Sequence, residues 1–231
     1  MKKLFILSLF FSVVKVYSQD CQNFYYMINN AEVQMTVYNA KGAKTGLQTW
    51  KISDVSKEGS GFRSTVSSRF VDEKGREIAK GSGVYKCNGG KLLADMRMTL
   101  PQDQTKQSAS ADAKINESFI EYPSSLSDGM QLPDAFFKME VNTTGIPSTT
   151  NYEMNNRKVV GKEKITSDAG SWDAYKITYD AEMNVKMAGV GFPLNMKVIE
   201  WFVPDFGMVK SETYNKKGKL MGYTLLTRLK K

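Results

Sequence analysis

The sequence predicts an all-β protein, with about a dozen antiparallel strands in a curved meander or partial barrel. Three observations predict it. From residue 31 onward the chain runs in short stretches of alternating polarity, rich in Thr, Val, Tyr and Phe, which suit a pleated, half-buried surface. No apolar pattern of period 3.6 holds for three turns, so helices between the strands are not expected. Gly, Asn and Asp punctuate the runs at spacings that suit antiparallel hairpins.

In chain order, the alternation places strands over Glu32–Asn39, Leu47–Val55, Phe62–Val71, Glu77–Lys86 and Lys91–Leu100. The second half offers Ile115–Tyr122, Ala135–Asn142, Val159–Thr166, Trp172–Met187, Leu194–Val203, Met208–Tyr214 and Leu220–Leu229. Three connections share the pattern Asn/Asp-x-Lys-Gly: Asn39 to Gly42, Asp72 to Gly75 and Asn215 to Gly218. The first side chain caps a type I turn, and the glycine takes the left-handed conformation of a hairpin bulge. Their lysines read as solubilising edge charges, the alternative being a basic rim for an acidic partner. The breaks are 101–114, 124–133 and 143–150. They leave residues 19–231 as one β-rich domain, with a division into halves 19–123 and 124–231 left open.

The first 18 residues read as a signal peptide. Lys2 and Lys3 precede an apolar run from Leu4 to Val14, and Val16-Tyr17-Ser18 offers a cleavage site. The run is too short to span a bilayer, and no later segment is apolar enough to be a transmembrane helix. Asp20 before Cys21 does not fit a lipid-attachment site. The expected location is therefore periplasmic or secreted. Cleavage would remove Lys2, Lys3 and Lys15, taking the formal net charge from +8 to +5. Lys and Arg are scattered among acids, so the gathered basic face that nucleic acid requires is not expected.

Cys21 and Cys87 are the two cysteines, and in an exported chain such a pair is expected to be bridged. The long loop between them makes the bridge worth about 4 kcal/mol in the chain-entropy account. There is no histidine. That removes imidazole-based triads, His metal sites and imidazole pH switching, and two cysteines cannot complete a structural zinc site. Neither a metal nor a cofactor is expected. The glycine pairs at 59–61, 81–83 and 189–191 lack the third glycine and following helix of a nucleotide fingerprint.

Four stretches, "YNAKGAKTG", "FVDEKGREIAKGSGVYKCNGGKLLADMRMTL", "NRKVVGKEKITSDAGSWDAYKITY" and "WFVPDFGMVKSETYNKKGKL", resemble a family of exported β-rich proteins of unknown function. The family is common in Bacteroidetes-type Gram-negative bacteria and is called TapB-like. The likeness covers about residues 21–229 and is most specific at Lys158–Thr166 and at the corner Trp201–Gly207. Ser167 and Asp168 stand where the family often has Thr-Pro, and Ala174 stands near a position where some members carry a cysteine. The resemblance implies a sheet curved into a partial barrel, loosely similar to periplasmic lipid-carrier folds. It brings no activity and no catalytic residues.

A third reading, a carboxylate-based glycan hydrolase, needs two acids facing one substrate. Glu200 shares a face with Val198 and Phe202, and Glu212 sits on the next strand. A tight corner would bring them together; otherwise Glu200 pairs with a lysine across the sheet as an ordinary surface contact. No catalytic constellation is assigned. The methionines are more suggestive, because Met183, Val185 and Met187, then Leu194, Met196 and Val198, alternate along two arms of an apolar, Gly-rich hairpin. Asn184, Lys186, Asn195 and Lys197 face away. Such a face is either core filler or adaptable lining for an apolar ligand. After Val198 the apolar residues change phase, through a bulge or through a covering loop. Trp201 and Phe202 read as large packing anchors in the cavity wall. Met183, Met187, Met196, Trp201 and Phe202 are therefore the candidate ligand-lining residues. The expected function is non-catalytic binding of an apolar, lipid-like ligand in the cell envelope, the alternative being a structural or adaptor module with a protein partner.

Overall fold

The computed structural model describes residues 21–99, 114–115, 118–143, 146–187 and 190–231. The expected signal peptide and nearly all of the break at 101–114 lie outside them.

Thirteen strands form one sheet. They are β1 (Glu32–Asn39), β2 (Lys44–Glu58), β3 (Gly61–Asp72), β4 (Glu77–Asn88), β5 (Lys91–Asp95), β6 (Lys114–Ile115) and β7 (Phe119–Tyr122). Then follow β8 (Ala135–Thr143), β9 (Ile146–Ser167), β10 (Gly170–Met187), β11 (Val190–Val203), β12 (Gly207–Asn215) and β13 (Leu220–Lys230). The order is β6-β8-β9-β10-β11-β12-β13-β1-β2-β3-β4-β5-β7, and every neighbouring pair is antiparallel. Residues before and after 123 thus contribute two contiguous blocks, except that β6 crosses to the far edge.

That crossing nearly closes the sheet into a barrel. The chain passes from one edge strand to the other between Ile115 and Phe119. The seam is stitched by the Ser118 hydroxyl donating to the Phe136 carbonyl and by Arg157. The Arg157 guanidinium is fully buried, and its Nη1 donates to Glu121 O at 3.0 Å and Pro133 O at 2.7 Å. Pairing between β9 and β10 shifts register here, and Asn156 takes φ 57°. The irregularity directs the long side chain inward, as bulges do.

Three expected strands differ most from those observed, while β2 and β11 run three or four residues longer than expected at an end. The strand expected over Lys91–Leu100 stops at Asp95, where the carboxylate accepts Arg97 N at 3.0 Å, Arg97 Nε at 2.9 Å and Val84 N at 3.1 Å. This local capture of backbone donors turns Met96–Thr99 into a 3-10 turn. The strand expected over Ile115–Tyr122 is split by the seam crossing. β9 begins at Ile146, well before Val159, because Asn151, Asn155 and Asn156 mask an alternation in which Tyr152 and Met154 point inward and are buried.

The two ends of the barrel are distinct. At one end, 3-10 turns over Cys21–Asn23 and Tyr25–Met27 drive Phe24, Tyr25 and Tyr26 into the core. Cys21 and Cys87 are bridged, 66 residues apart in sequence, with Cα atoms 5.7 Å apart. Tyr25 N donates to Phe206 O at 3.1 Å; its hydroxyl donates to Met208 O at 2.8 Å and shares a hydrogen bond with the Tyr26 hydroxyl at 2.7 Å. The corner from Pro204 to Gly207 is the seat for that ring. Gly207 has φ +130°, and a Cβ there would lie 2.6 Å from the Tyr25 ring.

The opposite end carries the three hairpin tips. Asn39 Oδ1 accepts Lys41 N and Ala43 N, Asp72 Oδ1 accepts Lys74 N and Arg76 N, and Asn215 Oδ1 accepts Lys217 N and Lys219 N. Gly42, Gly75 and Gly218 have φ between 73° and 79°, as the shared motif requires. The register pairs Asn39 with Gly222 and Gly46 with Asp72, which brings all three tips to one end.

Candidate functional site

The barrel interior holds a cavity of about 390 Å³. Its innermost wall is Tyr26, Trp50, Tyr85 and Phe202, against the aromatic plug. Its waist is Tyr122, Tyr152, Tyr179 and Glu200. The half-buried residues Val37, Gln48, Phe70, Thr213 and Thr224 line it towards the hairpin tips, which places the mouth at that end.

Among the described residues that line the cavity, Glu200 is the one that is charged. It is 4 % exposed. Tyr122 donates to its Oε2 and Tyr179 to its Oε1, each at 2.8 Å. The arrangement follows from strand alternation: Met196, Val198, Glu200 and Phe202 share the inner face of β11, while Tyr179 sits opposite Val198 on β10. Phe202 stacks on Tyr122 with centroids 4.3 Å apart, and the Arg157 guanidinium lies 5.2 Å from the far side of the same network, over the Tyr122 ring. Burial first, and then the Glu200 charge, push the ionisation of Tyr122, Tyr152 and Tyr179 well up. In Tyr26 burial again leads, followed by Tyr25 and the Glu200 charge; in Tyr85 burial leads, followed by Tyr26, the Asp95 charge and then Glu200. These five phenols are uncharged throughout the neutral range. Trp50 adds a buried Nε1 donor with no hydrogen-bond partner.

Such a site can recognise, but the pair of carboxylates considered for hydrolysis is not formed. Glu200 faces Ser211 across the β11–β12 ladder, whereas Glu212 faces Ile199 on the other side of the sheet. There Glu212 holds Lys210 Nζ at 2.7 Å and accepts from the Tyr214 hydroxyl. The alternative of a surface lysine pair for Glu200 is likewise corrected, because its partners are two buried phenols. Among the described residues no cluster of three His, Cys, Asp or Glu could hold a metal, and no helix is long and apolar enough to cross a membrane.

The sequence-derived lining residues separate. Met196 and Phe202 line the cavity. Met183 is buried on the same face, opposite Leu194, but outside the lining. Met187 is 45 % exposed, at the end of the β10–β11 hairpin. Trp201 lies on the opposite face of β11, where Nε1 donates to Glu163 at 2.9 Å and Lys210 and Lys176 lie 4.2 and 5.3 Å from its ring. From Glu200 to Phe202 β11 is thus buried on both faces, its outer side there covered by lysine stems. Its pairing with β10 runs unbroken, and the register shift lies on the β12 side, between Trp201 and Phe202. Cys21 and Cys87 sit at the plugged end, away from the mouth.

Tyr122, Tyr152 and Tyr179 were missed as site residues. They come from three separate strands, and only the tertiary closure brings them together. One signal was present: Glu200 occupies an apolar phase of its strand, where an acid needs buried partners. A second hollow of about 400 Å³, lined by the half-buried Asp180 and Tyr214 and the exposed Lys197, has no buried carboxylate among its described lining residues.

No curated protein matches the chain. Two crystal structures share the fold. One is a Bacteroides fragilis protein described provisionally as exported, with a YmcC-like fold: TM-score 0.70, 22 % identity, covering 88 % of this chain and 96 % of that one. The other is a Parabacteroides distasonis protein described provisionally as a lipoprotein: TM-score 0.73, 22 % identity, covering 90 % of this chain and 98 % of that one. At that identity they establish the architecture alone. A family profile decides membership, since it matches residues 30–226; it shows the DUF3108-like family and not the narrower TapB-like assignment expected from the sequence. From the first strand to the last, this barrel belongs to the DUF3108-like family.

Proposed function

We propose that the protein is a non-catalytic, exported binding protein for a lipid-like ligand, with an apolar body and a small polar end. The observation that carries the reading is the cavity: a buried carboxylate, the one charged group among its described lining residues, held by two phenols at the waist of an aromatic and aliphatic chamber. Its volume falls in the range of small-molecule sites, which pair an apolar lining with a few convergent polar groups. Glu200 uses one hydrogen bond to each oxygen, leaving lone pairs for a donor on the ligand. Trp50, another lining residue, carries a buried Nε1 donor with no hydrogen-bond partner. The apolar body would point to the mouth, where the inner face of β11 continues through Met196 to Leu194 and Phe192.

The test is native mass spectrometry of the disulfide-bonded protein purified without detergent. The expected result is a stoichiometric adduct that leaves as a lipid on denaturation and is depleted in Glu200→Gln. A bare mass, together with no displacement of a fluorescent fatty probe from the cavity, would overturn the reading and favour an adaptor that binds a protein.

A further inference from the structure

The β10–β11 hairpin projects beyond the β12–β13 tip on one side, while on the other it stays paired with β9 as far as Met187 opposite Ser148. Pairing between β11 and β12 begins at Met196 opposite Asn215, so the part of β11 before Met196 runs past the neighbouring tip. The cavity-facing phase of that projection is apolar on both arms: Met183 opposite Leu194, Val185 opposite Phe192, Met187 opposite Val190. Val190 is 59 % exposed and Phe192 60 %. Scattered exposed apolar residues are ordinary, but a contiguous strip continuous with a cavity marks an interaction surface.

Beside the strip stand basic tips. Lys216, Lys217 and Lys219 lie on the β12–β13 hairpin, and Lys41 and Lys44 on the β1–β2 hairpin, with β13 and β1 adjacent in the sheet. All five are exposed, and none is among the ion pairs of the described residues. On the third hairpin Asp72, Glu73 and Glu77 offset Lys74 and Arg76, so the basic face is confined to the two tips next to the strip.

We propose that this end of the barrel docks mouth-first on an anionic lipid bilayer, with Val190 and Phe192 entering the interface and the five lysines resting on the headgroups. The proposal builds on the lipid-binding reading but can fail separately from it. The charge pattern selects the occupant, because apolar residues bordered by unpaired cations complement an anionic interface. The dimensions agree. The four residue steps from Leu194 to Val190 span roughly 13 Å, against an interfacial depth of about 5–10 Å. Docking in this pose sets the cavity mouth against the membrane, the direction in which a lipid would enter or leave.

The experiment is co-sedimentation of the disulfide-bonded protein with vesicles of phosphatidylglycerol and phosphatidylcholine, and with phosphatidylcholine alone. Binding is expected to the anionic vesicles and to weaken as salt rises. Replacing Lys216 and Lys217 by Gln should weaken it about fivefold for each charge removed. Phe192→Ser should weaken it about tenfold or more, and Phe192→Trp should be quenched by brominated lipid on binding. These positions are exposed, so unchanged thermal unfolding will show that each variant is folded. No binding by the parent protein, equal binding to both vesicle types, or binding without quenching of Phe192→Trp would overturn the docking. A lipid adduct that persists in Phe192→Ser while vesicle binding is lost would separate docking from cargo. Vesicle binding by a protein with an empty cavity would support the docking and count against the cargo.

Discussion

The end of the barrel that holds Cys21 is packed shut with aromatic rings, whereas the end that carries the hairpin tips leaves Phe192 and Val190 in solvent beside five unpaired lysines. At the plugged end Tyr26 stacks on Tyr85 at 4.4 Å, Tyr25 meets Phe206 edge-on at 5.3 Å, and the disulfide ties the plug to β4. At the open end each tip is a local motif that closes its own hydrogen bonds. Stability is therefore concentrated at one end, and the other is free to present a surface. The cavity, with Glu200 at its waist, lies between them.

The largest effect should come from alkali. Tyr25, Tyr26, Tyr85, Tyr122, Tyr152 and Tyr179 all have ionisation pushed well above the ordinary phenol range, burial being the leading cause in each. A native pKa above the unfolded one means that the unfolded state releases these protons first. The stabilisation is fully present below the unfolded value of about 10 and is lost as pH rises above it, by up to about 1.4 kcal/mol per tyrosine per pH unit. The protein should unfold cooperatively above pH about 10, with tyrosinate absorbance and loss of circular dichroism coinciding. A smooth rise in tyrosinate from Tyr25, Tyr26 and Tyr85 with the sheet intact would break the picture of a sealed end.

Next comes the staple. Removing the Cys21–Cys87 bridge by double substitution to Ser should cost about 4 kcal/mol, read from the urea midpoint. The loss should fall on the plugged end, so hydrogen exchange should rise first in residues 21–31 while the tips at 39–44 and 215–219 keep their protection.

A glycine at each end sharpens the contrast. Gly207→Ala must fit a Cβ 2.6 Å from the Tyr25 ring at φ +130°, and should cost about 2–4 kcal/mol through strain and overpacking. Gly218→Ala meets no atom within 4 Å and bears only its φ of 73°, which should cost about 1 kcal/mol. Equal costs in thermal unfolding would mean that the corner is not the rigid seat of the plug.

The open end was the more legible of the two in the sequence. Asn39, Asp72 and Asn215 each carry a turn in four residues, so local chemistry was enough to place them. The meander and most strand cores were equally readable, because alternation is a property of neighbours. The plugged end depends on contacts such as Tyr25 with Gly207, which no local pattern encodes. The site follows the same rule: Glu200 could be placed on the inner face with Val198 and Phe202, but its partners arrive from β7 and β10 only once the sheet closes. Trp201 shows the reverse error, since its size suggested lining while its phase assigned it to the outer face under Lys176 and Lys210.

The smallest expected effect tests whether the open end carries stability at all. Phe192 is 60 % exposed, and its partner in the ladder is Val185. Removing its ring takes away little buried surface, so Phe192→Ser should shift the unfolding free energy by no more than about 0.5 kcal/mol. Phe24→Ala, which empties a buried site against Phe202, should cost about 3–5 kcal/mol. If Phe192→Ser destabilised the protein comparably, the strip would be part of the fold. An unchanged urea midpoint alongside lost vesicle binding would mean that a large aromatic is held in water because of what it contacts outside the molecule.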